Sequence, residues 1–194
     1  DDAVYEIADP EVAAQTLAWW RTEVENIFNK TATHPVGKAL EEALQHFELH
    51  QEYFLEIIDG MEMDLYQHRY EAFKHLALYC HRVASVVGLL AAEIFGYQHR
   101  QTLKYAEKLG LAFQLTNIIR DVREDAERGR IYLPQEDMDQ FGVKADDILA
   151  LKQTPELTAL LAFETDRART FYQEAKGLLP PEDRYAPPTG LIMS

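Results

Sequence analysis

The sequence predicts an all-α domain, and three observations support this prediction. Glycine is scarce, with 9 residues in 194, and no short β-branched runs alternate with turn signals. Apolar residues recur at three- and four-residue steps over long segments, which is the helical period. The apolar fraction of 47% is enough to bury a real core, so general disorder is excluded. We therefore expect residues 1–194 to form a single helical domain.

The first three helices are predicted by amphipathic stripes over about residues 10–30, 36–47 and 54–65. Asp9 is a typical N-cap residue, and Pro10 suits the first turn of the helix that follows. Pro35 separates this helix from the second. Gly60 is a weak point inside the third, because glycine lowers helix stability.

Four further helices are predicted over about residues 70–95, 101–125, 146–151 and 155–178. Gly96 ends the first of these, and Gly129 follows the second. Apolar residues cover most of the circumference of the helix at 101–125, so we expect it to be buried on nearly every side. Four of the eight prolines lie after Leu179, which predicts a linker or a loop there.

The charge balance excludes some classes of partner. With 19 Lys and Arg against 33 Asp and Glu, the formal net charge is −14, which repels nucleic acid. An anionic substrate would therefore need a local basic group, a helix N-terminus or a bound metal.

The sequence also bears on location. The single cysteine, Cys80, cannot form an intramolecular disulfide, and the given sequence opens with Asp1 and Asp2 where a secreted precursor would have a charged and then apolar segment, so a reducing cytoplasm is expected. No run approaches the ~18 apolar residues of a membrane span. Peripheral contact with a membrane surface remains open, and the sequence does not predict an oligomeric state.

One polar stripe on the otherwise apolar helix at 101–125 is a candidate metal site. Gln114, Asn117, Asp121 and Asp125 occupy relative positions 0, 3, 7 and 11, which share one face of a helix. Two carboxylates one turn apart repel each other unless a cation neutralises them, and carboxylate and amide oxygens suit Mg²⁺. The alternative is a solvated helix end with ordinary charges.

A basic loop follows this stripe. Arg128 and Arg130 lie beside Tyr132 in a chain with few basic residues, and arginine binds phosphate oxygens through two parallel hydrogen bonds. This pattern predicts diphosphate binding. The alternative is that arginine compensates the dipole at a helix C-terminus.

Two other segments are candidate cavity walls. In the segment 79–88, Tyr79 offers a phenol, and small residues such as Gly88 allow a ligand or another helix to approach closely, although such a segment taken alone is more often explained by core packing. In the segment 59–64, Asp59 and Asp64 are five residues apart and diverge on a helix. A shared metal is therefore less natural there, and only part of this cluster is expected to face a cavity.

Other helical metal and phosphate sites lack their signatures. No Glu-x-x-His spacing supports a di-iron bundle, one cysteine excludes a multi-thiolate zinc site, and there is no glycine-rich phosphate loop.

Four segments together resemble the squalene/phytoene synthase family over essentially the whole chain. The segments 114–125 (QLTNIIRDVRED) and 129–134 (GRIYLP) resemble its second aspartate-rich motif. The segments 59–65 (DGMEMDL) and 79–88 (YCHRVASVVG) resemble two further motifs in the expected order. Within the family, the combination is most similar to the bacterial presqualene diphosphate synthases of hopanoid pathways, with phytoene synthases next.

The resemblance implies a terpenoid-synthase-like helical bundle around a central apolar cavity, with Mg²⁺ held between two aspartate-rich motifs. The metal ligands that it implies are Asp1, Asn117, Asp121 and Asp125. Tyr5 stands where the first motif usually has its second aspartate, so that half of the site is in question unless Glu6 replaces it. Because family members extend beyond both ends of this sequence, we expect the chain to be truncated at each end and to be inactive alone.

The resemblance also implies roles for individual residues. Tyr79 and Tyr132 are expected to line the reaction centre and, with Asp121 and Asp125, to form the catalytic set. The expected substrate contacts are Val83, Gly88, Gln114, Arg120 and Arg130.

The expected activity is therefore a Mg²⁺-dependent prenyltransferase that condenses two farnesyl diphosphates to presqualene diphosphate. Phytoene synthesis from geranylgeranyl diphosphate is an alternative that differs in the length of the cavity. A helical scaffold would instead expose its carboxylates, and a prenyl-chain carrier would need no metal.

Overall fold

A computed structural model of the protein describes residues 9–185, apart from the side chain of Tyr185, and confirms the all-α prediction. No strand occurs within these residues. The α-helices are α1 (Pro10–Phe28), α2 (Pro35–Ala43), α3 (Gln51–Tyr66), α4 (Phe73–Cys80), α5 (Val86–Phe95), α6 (Gln101–Arg120), α7 (Val122–Glu127), α8 (Gln135–Phe141), α9 (Ala145–Leu149) and α10 (Pro155–Leu178). A π-helical turn (His81–Ser85) joins α4 to α5, and a 3₁₀ turn (Pro181–Tyr185) follows α10.

Proline and a capping side chain define the start of three helices. Asp9 accepts a hydrogen bond from the Glu11 amide at 2.9 Å at the start of α1, as its sequence position predicts. His34 caps α2 in the same way, and Thr154 accepts from the Leu157 amide at 3.1 Å to cap α10. All three helices have proline in the first turn.

Several helix boundaries differ from the predictions. The second helix ends at Ala43 rather than near residue 47, and the helix predicted at 70–95 begins at Phe73 and includes the π-helical turn. The helix predicted at 101–125 is interrupted at Asp121. Helix α8 was not predicted, because seven residues are too few to show an apolar period.

Helix α6 lies at the centre of the fold and packs against α10, α5 and the π-helical turn. Close approach to that turn requires a glycine in α6. A Cβ atom at Gly110 would lie 2.6 Å from the Ser85 Cα atom and 2.7 Å from the Ala84 carbonyl oxygen. The Ser85 hydroxyl fixes the same contact, since it donates to the Glu107 carbonyl at 2.7 Å.

Two hydrophobic clusters surround this centre. The larger one joins α4, α6, α10 and the buried loop residues Ile131–Leu133, which carry Tyr132 into the interior. The smaller one forms where α1 packs on α3, through Leu17, Val24 and Ile58. The larger cluster therefore positions the residues predicted to be functional.

A buried ionic network ties α8 to α10. The Arg167 guanidinium donates to Asp137 at 2.7 and 3.1 Å and to both carboxylate oxygens of Glu164 at 2.9 Å. It also stacks over the rings of Phe73 and Phe163, at 4.3 and 4.7 Å from the centroids. Burial raises the pKa of Glu164 to about 7, although Arg167 opposes this shift.

Among the described residues, one helical segment, Phe73–Phe95, is long and apolar enough to cross a membrane by length and composition. These criteria are weak evidence, because a core helix also meets them. In this fold, its parts α4, the π-helical turn and α5 pack against α3 and α6.

Candidate active site

The four stripe residues meet at one cavity of about 180 Å³. Helix α6 supplies Gln114 and Asn117, α7 supplies Asp125, and Asp121 lies at the junction between the two helices. Although the helix is interrupted, the Asp121 amide still donates to the Asn117 carbonyl and the Asp125 amide to the Asp121 carbonyl, each at 2.9 Å. The helical register therefore continues across the junction and keeps these side chains on one face.

The remaining lining of the cavity comes from three parts of the fold. Tyr79 comes from α4, Ile118 from α6, and Tyr132 from the loop after α7. Glu124 and Arg128 complete the lining. The volume is below the ~300–1,000 Å³ of typical ligand pockets, so the cavity suits charged head groups rather than two prenyl chains.

The two stripe carboxylates, Asp121 and Asp125, differ in their surroundings. Burial and the charge of Asp121 raise the pKa of Asp125 to about 6, against the opposing effect of Arg128 and Arg130. The pKa of Asp121 is lowered, mainly because the Arg120 guanidinium donates two hydrogen bonds to it at 2.7 Å. Two carboxyl groups at one cavity therefore carry negative charge that a cation would stabilise.

The donor set suits a hard divalent cation that also binds a ligand. Two carboxylates and the Asn117 amide leave coordination positions for water or phosphate oxygens, which Mg²⁺ commonly keeps. Within residues 9–185, no three His, Cys, Asp or Glu side chains are grouped closely enough to hold a metal by themselves. The predicted ligand Asp1, with Tyr5 and Glu6, lies outside the described residues.

The arginines expected to bind substrate take different positions. Arg120 is exposed, pairs with Asp121 and does not line the cavity. Arg130 is partly buried, and its Nη2 atom donates to the Asp64 backbone carbonyl at 3.0 Å. Arg128 is the arginine that lines the cavity beside the carboxylates.

Val83 and Gly88 mediate contacts between helices. A Cβ atom at Gly60 of α3 would lie 2.7 Å from Val83 Cγ1, and a Cβ at Gly88 would lie 2.8 Å from the Ala106 carbonyl oxygen. Ala106 precedes Gln114 by eight residues, or roughly 12 Å along α6. Neither Val83 nor Gly88 lines the cavity that holds the stripe residues. Their contact with substrate therefore stays a prediction.

The two predicted tyrosines form a pair on a buried carboxylate that was not predicted as a site residue. Tyr79 donates to Asp64 Oδ2 at 2.9 Å, and Tyr132 donates to Asp64 Oδ1 at 2.6 Å. Their rings stack with centroids 5.2 Å apart and planes inclined by 29°. The sequence did carry a signal, because Asp64 is placed three residues after Met61 on the apolar face of its helix.

Asp59 and Asp64 diverge, as their spacing predicts. Asp59 pairs with Arg21 of α1 at 2.6 Å and with Arg82 at 3.5 Å, whereas Asp64 is fully buried. Of these two carboxylates, only Asp64 contacts side chains that line the cavity, namely Tyr79 and Tyr132.

The chain is similar over its whole length to proteins of one class. The squalene/phytoene synthase family model matches residues 1–194. Phytoene synthase 2, chloroplastic, from Solanum lycopersicum is 39% identical over 171 residues, which cover 85% of this chain and 55% of that protein. The chain spans between 52% and 63% of the length of three curated phytoene synthases.

Solved structures show the same similarity. Squalene synthase HpnC from Alicyclobacillus acidocaldarius has a TM-score of 0.85 at 32% identity, covering 94% of this chain and 70% of that chain. A dehydrosqualene synthase in complex with ligand has a TM-score of 0.82 at 30% identity, covering 95% and 69%.

Proposed function

The chain belongs to the squalene/phytoene synthase family, and we propose that the protein joins two allylic prenyl diphosphates head to head. One observation carries this proposal. The amide and carboxylates of Asn117, Asp121 and Asp125 line the same cavity as Arg128 and the two tyrosine rings. The cavity therefore combines oxygen atoms that suit a metal, an arginine that suits phosphate, and aromatic ring faces.

Each class of group has a separate task in this reaction. Asn117, Asp121 and Asp125 would hold Mg²⁺, which when bound neutralises the charge of the diphosphate leaving group. Arg128, with Arg130 nearby, binds phosphate oxygens and opposes the repulsion by the acidic protein. The electron-rich faces of Tyr79 and Tyr132 stabilise a cation beside them.

The condensation releases one inorganic diphosphate and one proton. One prenyl diphosphate ionises to an allylic cation and inorganic diphosphate, and the cation alkylates a double bond of the second molecule. Closure to a cyclopropane with loss of one proton gives the condensed prenyl diphosphate. The reaction requires that water be excluded from the cation, which water would otherwise capture as an alcohol.

Farnesyl diphosphate is the substrate we propose first, with presqualene diphosphate as the product, because the motifs resemble those of presqualene diphosphate synthases. Geranylgeranyl diphosphate is the second candidate, and the 39% identity to a phytoene synthase favours it. A cytoplasmic location and peripheral membrane contact are further proposals from the sequence.

The test is an assay of the intact protein with each prenyl diphosphate and Mg²⁺, with the products identified by mass spectrometry. We expect a thirty-carbon cyclopropyl diphosphate from farnesyl diphosphate. A forty-carbon product from geranylgeranyl diphosphate alone would select the second candidate, and no condensation of either substrate would exclude both.

A further inference from the structure

Asp64 is a buried carboxylate that joins the wall of the cavity to the protein interior. It lies in the last turns of α3, its side chain is fully buried, and it accepts hydrogen bonds from both tyrosine hydroxyls. Burial of a carboxylate is costly unless hydrogen bonds compensate it. The two tyrosine hydroxyls supply this compensation, so Asp64 and the two cavity-lining tyrosines form one hydrogen-bonded group.

The direction of these hydrogen bonds determines which groups of the two tyrosines face the cavity. A phenol has one O–H donor, and both Tyr79 and Tyr132 direct theirs to Asp64. Neither hydroxyl proton is then available to a molecule in the cavity. The groups that these two side chains offer there are ring faces and oxygen lone pairs, which are all electron-rich.

Three further contacts restrict movement of Asp64 and the two tyrosines. The tyrosine rings stack on each other at 5.2 Å, and Tyr70 stacks on Tyr132 at 5.8 Å. The Arg130 guanidinium donates to the backbone carbonyl of Asp64 itself. The phenols are therefore oriented before any ligand binds, which is the condition for electrostatic stabilisation without reorganisation.

We propose that Asp64 is a positioning residue, which holds both phenols with their protons turned away so that Tyr79 and Tyr132 present only electron-rich groups to an allylic cation. This inference rests on the proposed function, because it requires a cationic intermediate. An apolar residue at position 64 would free both hydroxyl protons, and their positive ends could then face the cation.

The main test compares Asp64→Asn with wild type in the intact enzyme. The amide keeps the size of the side chain but offers an NH₂ group, so one phenol must reverse its hydrogen bond. We expect kcat to fall by roughly 10–100-fold, the effect of removing an orienting partner, with KM changed by less than about 3-fold. The fraction of substrate released as water-quenched alcohol should rise.

A double-mutant cycle separates positioning from structure. In the Tyr79→Phe/Tyr132→Phe background, Asp64 has no hydroxyls to orient, so Asp64→Asn should cause no further loss of kcat. An equal loss in both backgrounds would overturn the proposal. Asp64→Glu retains the carboxylate and should recover part of the activity that Asp64→Asn loses.

Asp183→Asn is the matched control. Asp183 is also buried and accepts from the Gln98 and His99 amides and the Thr102 hydroxyl. It does not line the cavity. Its substitution should lower the melting temperature without changing the ratio of condensed product to alcohol.

A spectroscopic measurement keeps the inference independent of turnover. NMR of protein with isotope-labelled tyrosine should show two protected hydroxyl protons, assigned through the single Phe variants, and both should shift in Asp64→Asn. Unchanged signals would overturn the positioning role. If the wild type condenses neither prenyl diphosphate, the proposed function fails, and the role of Asp64 toward a cation fails with it.

Discussion

Asp121 and Asp125 line one cavity, and their carboxyl groups have opposite pKa shifts. The hydrogen bonds from Arg120 lower the pKa of Asp121, whereas burial and the charge of Asp121 raise that of Asp125 to about 6. The ionised form of Asp125 is therefore the less stable of the two, and a bound cation would favour it.

Replacing either carboxylate should abolish turnover while the helices remain folded. For Asp121→Asn or Asp125→Asn we expect the rate to fall by at least roughly 100-fold, because each change removes a proposed metal ligand. The melting temperature should hold or rise for Asp125→Asn, since repulsion is relieved. Glu127→Gln, at an exposed site off the cavity, is the control. Near-normal turnover of the double variant would remove the metal role from these residues.

Mg²⁺ should stabilise the intact protein more in the presence of a substrate analogue than alone. The proposed metal ligands in the cavity are two carboxylates and one amide, so we expect the remaining ligands to come from water or phosphate. Thermal shifts with Mg²⁺, with a non-hydrolysable farnesyl diphosphate analogue, and with both would measure this coupling. Equal shifts by Mg²⁺ with and without the analogue would instead indicate a structural ion.

The contribution of Glu164 to stability should fall as pH rises. Its pKa is raised from an ordinary 4.5 to about 7 in the folded protein, so the folded state binds more protons between these values. This contribution is complete below about pH 4.5 and is lost as pH rises through about 7. Glu164→Gln should flatten this part of the stability profile, measured by urea unfolding. Glu174→Gln, on the exposed side of α10, should keep the wild-type profile.

Replacing Arg167 should destabilise the fold strongly. Arg167→Met leaves Asp137 and Glu164 buried without their cation, which typically costs 3–5 kcal/mol, so we expect a loss of about that size. Chemical unfolding of the variant measures it. Arg169→Met removes only an exposed pair with Asp166 and should change the unfolding free energy by less than about 0.5 kcal/mol. Similar effects of both substitutions would contradict the structural role of the network.

Gly110→Ala should weaken the packing of α6 on the π-helical turn. Its Cβ would meet backbone atoms of Ala84 and Ser85, which have little freedom to move, and we expect a loss of about 1–3 kcal/mol. At Gly177 in α10 a Cβ meets no atom within 4 Å, so Gly177→Ala should instead stabilise by about 0.5–1 kcal/mol. An unchanged free energy of unfolding in Gly110→Ala, measured by chemical unfolding, would show that the contact adapts to the added methyl group.

The sequence predicted the stripe from Gln114 to Asp125 well because a helical period alone fixes which residues share a face. The same argument predicted that Asp59 and Asp64 diverge. It could not predict that Asp64 meets Tyr79 and Tyr132, since that contact joins α3 to residues 15 and 68 positions away. The helical period also could not predict the position of Arg120, because its pairing with Asp121 competes with any contact to a ligand.

The π-helical turn at His81–Ser85 also sets the phase between the two halves of one continuous helix. One extra residue in a turn rotates everything after it by roughly 100° relative to an unbroken α-helix. Tyr79, before the turn, can therefore face the cavity while Gly88, after it, faces Ala106 of α6. Loss of a single residue from this turn would rotate one of these faces away from its partner, so insertions and deletions here should be tolerated far less than substitutions.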